Sequence, residues 1–433
     1  MKLSVFWFRR DLRLEDNTAL NQALSSGLPV LPIFIFDQNI IEELPRDDAR
    51  ISFIYDRLQL INRELNKKES SLKIFKGQPV RVWGNIISNY EIDQVFINRD
   101  YEPYALQRDT EIRAMLSKKG IKTVECKDQV IFEGSEILKN DGSPYSVYTP
   151  YKKRWLQRWG QHPPQPVNLT DYSRFLPSRY SFPALSEIGF HTSQIKVRNY
   201  DLTRLDQYAV ARDLPGKDST TYLSPHLRFG TISIRQVIKQ LGPGDDVFLG
   251  ELIWREFFMQ ILEHFPKVVD QNFNPRYNGI EWRNDDGDFT LWCQGKTGYP
   301  LVDAGMRQLN ATGYMHNRVR MVTASFLCKH LLIDWRWGES YFAGKLLDYE
   351  LSSNNGNWQW AAGTGCDAVP YFRIFNPFAQ QKKFDKSLAY IKKWLPELET
   401  PQYPQPIVVH QFARERALQV YKKGLQENYN VST

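Results

Sequence analysis

The sequence predicts two domains of different class: a doubly wound parallel α/β domain at residues 1–130 and an all-α domain at residues 201–433, joined by a long linker at 131–200. Three observations carry this. Short apolar runs recur through residues 1–130 with room for crossover helices between them. Residues 131–200 turn rich in Pro and Ser and lose apolar periodicity. Residues 201–433 show helical periodicity and no strand pattern.

The apolar runs are Leu3–Phe8, Val30–Phe36, Leu72–Phe75, Gln94–Ile97 and Ile121–Cys126, with starts 22 to 42 residues apart. Between two of them Ile51, Ile54, Leu58, Ile61 and Leu65 recur at helical period. The first run leads into Arg9-Arg10-Asp11-Leu12-Arg13, so the GxGxxG phosphate turn of a dinucleotide-binding domain is absent where it would sit. The linker carries Pro163-Pro164, Pro166, Pro177 and Pro183. Its basic and aromatic stretch Tyr148–Trp155 reads as a solvated helix face. In the C-terminal part the expected helices include Phe248–His264, Pro300–Leu309, Met315–Leu332 and Ser387–Trp394.

Composition narrows the class. The chain has 433 residues, 42% apolar and 24% charged, which excludes a disordered or collagen-like chain. Its four cysteines form no CxxC unit and read as reduced thiols of an intracellular protein. Residues Met1–Phe8 meet Arg9 too soon for a signal-peptide core, and no apolar run reaches the length of a membrane span. A soluble, cytoplasmic, monomeric protein is expected. Net charge is 56 − 49 = +7, divided as 29 basic and 24 acidic side chains in residues 1–200 against 27 and 25 in 201–433. A phosphate-binding surface in the second half would therefore be a local cluster. The composition that stands out is aromatic: 12 Trp, 22 Tyr and 25 Phe.

Several motifs fail on inspection. Gly295-Lys296-Thr297 ends like a P-loop, but Thr290 stands where the loop's first glycine belongs. Gly363–Ala368 fits GxGxxA only loosely and follows a helical stretch. The seven histidines lack HxxxH or HExxH spacing, so no metal site is expected. There is no GxSxG elbow.

Four segments carry chemistry. In Thr220–Gly230, small hydroxyl residues precede a helix, the arrangement of an N-cap or of an anion site. In Gly250–Phe258, Glu251, Trp254 and Arg255 share one helix face, which suits a ligand made of base and phosphate or a surface ion pair beside a core Trp. In Gly313–Met321, Asn317 and Met321 share a face. Asn can read a base edge and Met gives a soft apolar contact, although one polar face with a core Met has the same pattern. In Asp348–Trp360, three Asn, a Gly and two Trp within seven residues make a poor helix interior, a local conflict typical of functional sites.

In order, these segments resemble the photolyase/cryptochrome family, and most closely its class I cyclobutane pyrimidine dimer photolyases. The resemblance runs from Phe6–Asn17 to Tyr403–Val408, through Gly295–Pro300, Ile333–Arg336, Asn355–Ala362 and Pro370–Pro377. It implies an α/β antenna domain and a helical domain that binds FAD, with reduced FADH⁻ donating an electron, on illumination, to a pyrimidine dimer flipped out of UV-damaged DNA. By position, Tyr208, Thr220, Thr221, Leu223 and Ser224 match the FAD-cradling segment. Arg320 and Asp348 match an ion pair beside the flavin ring, Glu350 stands near it where relatives often carry Asp, and Asn354 matches the side chain opposite flavin N5. Glu251, Trp254, Asn317, Met321 and Trp360 match the dimer pocket, with Glu251 bonding a thymine carbonyl and the two Trp sandwiching the dimer. Arg212, Arg255, Arg318 and Arg373 match DNA phosphate contacts. Trp358, Trp335 and Trp282 match an electron relay to the surface. The other seven Trp keep a packing or surface role.

The resemblance leaves open whether an antenna chromophore is bound and, where one is, its identity among deazaflavin, flavin and folate. Ala105 and Asp270 replace the Glu and Lys with which relatives hold folate in its usual site. Tyr314 replaces a frequent Trp. The cryptochrome alternative lacks support from a long polar tail, and Asn317 after His316 removes the histidine pair used in (6-4) photoproduct repair.

Overall fold

Five parallel strands form the sheet of the N-terminal unit: β1 (Leu3–Phe8), β2 (Val30–Asp37), β3 (Lys73–Gly77), β4 (Ile92–Asn98) and β5 (Lys122–Cys126), in the order β3-β2-β1-β4-β5. Each lies within two residues of an expected run at its start. The computed structural model describes residues 1–161, 163–167 and 171–431. Strands β1 and β2 are buried along their whole length, as central strands covered on both faces must be.

Period-two alternation sends β1 side chains into two cores. Phe6 and Phe8 pack with Leu20 of α1 (Thr18–Leu24) and Leu58 of α2 (Ala49–Asn66). Val5 and Trp7 pack with Trp83 of α3 (Pro79–Asn89) and Ile112 of α4 (Pro103–Ser117). The order reverses between β1 and β4, where a dinucleotide fold would place its glycine turn.

Here the Arg-rich run does something else. Arg13 pairs with Asp128 at 2.5 Å, and Arg235 joins Asp128 at 2.7 Å and Asp16 at 3.0 Å, all buried. Burial works against the Asp128 charge, but Arg13 and Arg235 outweigh it and hold its carboxyl below the usual range. Leu12 N–H donates to the Phe229 carbonyl at 3.0 Å, and Gly230, with φ of 62°, lets Arg10 approach so closely that a Cβ would overlap its carbonyl.

The chain forms two compact units. One comprises residues 1–136, 155–200 and 222–242; the other comprises 137–154, 201–221 and 243–433. The stretch expected as a linker is divided between them and is not a free connection. Phe175, Ile188 and Phe190 are buried in the N-terminal core, and Leu176 N–H donates to the Val30 carbonyl at 2.8 Å. It reads as a linker because prolines, not a helix or strand period, space its apolar residues. The Tyr148–Trp155 stretch also differs from expectation. It lies in helix α5 (Tyr148–Gln161), and Tyr148, Tyr151 and Trp155 are buried along one stripe, so this is no solvated face.

The C-terminal unit is helical, with no strand among its described residues. Its frame is α6 (Asp246–His264), α7 (Asp286–Gln294), α8 (Pro300–Thr312), α9 (Asn317–Ser325), α10 (Trp335–Lys345), α11 (Leu351–Ala362) and α12 (His410–Val431). The expected single helix Met315–Leu332 begins later, because the His316 side chain caps α9 at the Arg318 N–H, and it passes into a π-helical turn at Phe326–His330. The core gathers Met306, Leu327, Phe342 and the buried Trp292, Trp335 and Trp358. Gly295 ends α7 in the left-handed conformation. Beyond it, Thr297 N–H and Gly298 N–H donate to Asp303 at 2.8 and 2.9 Å, so this Gly-Lys-Thr is a helix stop and not a phosphate cradle.

The stretch expected to make a poor helix interior is instead helix α11. Asn354, Asn355 and Gln359 bond to groups outside the helix and so do not compete with its backbone, whereas Asn357 bonds back to the Ser353 carbonyl at 2.8 Å. Glu350 caps it through Ser353 N–H at 3.0 Å and Ser352 Oγ at 2.5 Å. Asn355 and Gln359 donate to the Val268 carbonyl, each at 2.9 Å. Gly356 faces the Phe258 ring of α6, where a Cβ would overlap it.

Candidate functional site

Helix α6 presents Glu251, Trp254 and Arg255 half-buried. Tyr148 lies flat on Trp254, with ring centroids 3.6 Å apart and planes 7° from parallel, and its hydroxyl donates to the Gly250 carbonyl at 2.7 Å. One face of the indole is thereby occupied. Glu251 accepts from Arg212 Nη1 at 2.6 Å. Tyr208 stands edge-on to Phe248 at 5.0 Å; burial, then the Glu251 charge, pushes its phenol up to about 12.

Helix α9 contributes the next group. Asn317 is exposed at its first turn, while Arg318 and Met321 are half-buried. Arg318 pairs with Asp213 at 2.8 Å and reaches Met321 Sδ at 3.6 Å. Arg320 pairs with Asp348 at 2.9 Å and donates from Nε to the Met315 carbonyl at 2.8 Å. On α11, the Asn354 amide donates to Glu339 of α10, to the carboxylate at 2.8 Å and the carbonyl at 3.1 Å. With both donors engaged there, this assignment of the amide leaves Oδ1 to accept. Burial raises the Glu339 carboxyl above its ordinary value, against the Asn354 hydrogen bond.

The remaining residues divide. Trp358 is buried against Phe342 at 5.0 Å and Trp292 at 6.1 Å. Trp335 is buried, and its Nε1 donates to Asn272 Oδ1 at 2.9 Å. Trp282 and Trp360 pack half-buried against the same core, and Trp282 meets Tyr421 edge-on at 6.0 Å. Arg373 is exposed. The Glu350 carboxylate serves as the α11 cap. Thr220 and Thr221 lie half-buried in the C-terminal unit with Tyr208, whereas Leu223 and Ser224 fall in the N-terminal unit. The cap expected from a hydroxyl there is the Leu223 position, which has no side-chain acceptor; Ser224 is the first residue of the helix Ser224–Arg228.

The structure brings in three residues the sequence reading passed over. Tyr148 was within view as part of an aromatic cluster, Asp213 directly follows Arg212, and Glu339 has no sequence signal of its own.

Comparison with known proteins fits this geometry. Residues 4–168 match the family described as DNA photolyase, and residues 248–402 match the FAD binding domain of DNA photolyase. The chain belongs to the DNA photolyase family. It is 37% identical to a deoxyribodipyrimidine photo-lyase of Vibrio cholerae, over 97% of this chain and 99% of that one. A class III photolyase from Agrobacterium tumefaciens overlays with a TM-score of 0.86 at 35% identity, covering 98% of both chains. An archaeal photolyase from Sulfolobus tokodaii, solved with two FAD molecules, overlays with a TM-score of 0.84 at 35% identity, over 98% of this chain and 100% of that one.

The side chains of this photolyase-family chain fit FAD. Thr220 and Thr221 offer hydroxyls beside Ser219, whose Oγ is buried without a partner. Arg320–Asp348 supplies a fixed charge pair, and Asn354, with its amide N–H groups on Glu339, keeps Oδ1 as an acceptor. All four cysteines are free. Among the described residues no cluster of three or more His, Cys, Asp or Glu could hold a metal, and no helix is long and apolar enough to cross a membrane.

Proposed function

We propose that this protein repairs cyclobutane pyrimidine dimers in UV-damaged DNA, driven by light. The observation that carries the reading is the set of donors, aromatic faces and guanidinium groups gathered on α6, α9 and α11 of a chain that belongs to the DNA photolyase family. Bound and reduced, FAD supplies the photoexcited electron that splits the cyclobutane ring.

The chain's own residues bind, orient and exclude water. Trp254 and Trp360 offer flat apolar faces to the dimer, on helices that pack together. Tyr148 covers one face of Trp254 and Phe258 lies stacked at 5.5 Å, so the dimer meets the part of the indole that these two rings leave open. Asn317 reads a base edge and Met321 fills beside it. Glu251 bonds a thymine carbonyl. Tyr208, Thr220, Thr221, Arg320, Asp348 and Asn354 of the C-terminal unit hold the cofactor, with Glu350 fixing the α11 helix that presents Asn354. Arg212, Arg255, Arg318 and Arg373 take phosphates around the flipped site. Trp282, Trp335 and Trp358 carry electrons inward, two of them within one buried core. A second, antenna chromophore belongs to the N-terminal unit, and the protein acts as a cytoplasmic monomer of the class I type.

The test is illumination of reduced holoprotein with an oligonucleotide carrying one thymine dimer. Intact thymines are expected to return; no recovery above a dark control overturns the reading.

A further inference from the structure

Arg212 and Glu251 stand for opposite halves of the substrate, a phosphate and a base, yet they bond each other at 2.6 Å. Glu251 Oε1 accepts from the guanidinium, so the carboxyl group that a dimer base must reach is already engaged. The guanidinium and the base compete for the same oxygens. Both side chains are reachable from solvent, at 24% and 31% exposure. A phosphate can therefore take the guanidinium.

We propose that Arg212 is a positioning residue that gates Glu251: it holds the carboxylate in the free protein and passes to a backbone phosphate of the bound strand, which releases Glu251 to the dimer. This rests on the dimer-repair reading and adds the order of events, phosphate first and base second. Only strands with a phosphate in place would meet a released Glu251.

The neighbouring pair makes the contrast. Asp213, the next residue, holds Arg318 of α9 at 2.8 Å, so one turn of chain tethers both α6 and α9 through oppositely charged groups. A phosphate that displaces Asp213 returns a 41%-exposed carboxylate to water, and the only pocket residue Arg318 touches among the described residues is the apolar Met321, so no hydrogen-bonding group of the pocket is freed. Of the two exchanges, the one at Arg212 frees a hydrogen-bonding group of the dimer pocket. Exchange also makes the net gain from each phosphate smaller than two unpaired arginines would give, because each guanidinium loses one anion to take another.

The test uses the full-length holoprotein and two probes: a bare thymine base dimer without sugar or phosphate, and an oligonucleotide carrying one dimer. In Arg212→Ala the base dimer should bind about two- to five-fold more tightly than in wild type, the strength of one half-exposed ion pair, while the oligonucleotide binds more weakly. In Arg212→Ala/Glu251→Gln the gain should vanish, leaving the affinity of Glu251→Gln alone. Arg212→Gln serves in the same way should the Ala variant fold poorly. Unchanged or weaker base-dimer binding in both Arg212 variants, with oligonucleotide affinity lost, would make Arg212 a phosphate contact only and overturn the gate. Wild-type protein that does not prefer the damaged oligonucleotide over an undamaged one would remove the repair reading itself, and the gate with it.

Discussion

Replacing Gly356 by Ala tests whether the close approach of α6 and α11 sets the site. An added Cβ would overlap the Phe258 ring, so one helix must shift or the ring must leave its rotamer. Helix propensity favours Ala by about 1 kcal/mol. Overpacking opposes it by about 1–3 kcal/mol. The single variant should therefore range from neutral to about 2 kcal/mol less stable, short of the gain that propensity alone would give. Phe258→Ala by itself should cost about 3–5 kcal/mol. In the double variant the methyl enters the space the ring vacates, so the two losses should not add, and the coupling should reach at least ~1 kcal/mol toward rescue. Urea midpoints at unchanged slope measure stability for the four proteins. Affinity for a dimer oligonucleotide measures the site, since α6 carries Glu251 and Trp254 while α11 carries Trp360; Gly356→Ala should weaken it. Additivity within ~0.5 kcal/mol, or a Gly356→Ala variant stabilised by the full propensity gain, would refute the argument.

Other outcomes follow from individual side chains. Trp358→Phe should abolish photoreduction of the oxidised holoprotein and leave repair by pre-reduced protein nearly intact; equal photoreduction in both proteins would end the relay assignment. Binding to dimer oligonucleotide should weaken as salt rises, and Arg373→Ala should lower the slope of log affinity against log salt by about 1; an unchanged slope would remove Arg373 from the phosphate set. Burial lowers His316 to about 4 and His330 to about 3 from 6.5. The unfolded chain then binds more protons in that window, so stability present above pH 6.5 is lost as pH falls toward 4. The gap between urea midpoints at pH 7 and pH 5 should narrow in a His330→Gln variant, with His316 left to account for part of it; the same drop as in wild type would show that His330 does not contribute.

The sequence by itself determined the α/β sheet, because central parallel strands must be apolar on both faces and the chain needs about the observed spacing to cross back. It also determined the family, since the ordered segments from Phe6 to Val408 are shared along the chain. Local rules failed where partners lie far away in sequence. Helix α11 looks unfavourable until Glu339, Val268 and Phe258 occupy its polar and glycine positions. The stretch at 131–200 looks loose until Phe175 and Phe190 enter the N-terminal core. The site shows the same division. Residue types such as Glu251, Trp254 and Arg212 were legible as candidates, but only the tertiary structure decided that Tyr148 covers one face of the indole and that Arg212 binds Glu251. Periodicity reports which face of an element is buried; it carries no information about which side chain from another element will meet it there.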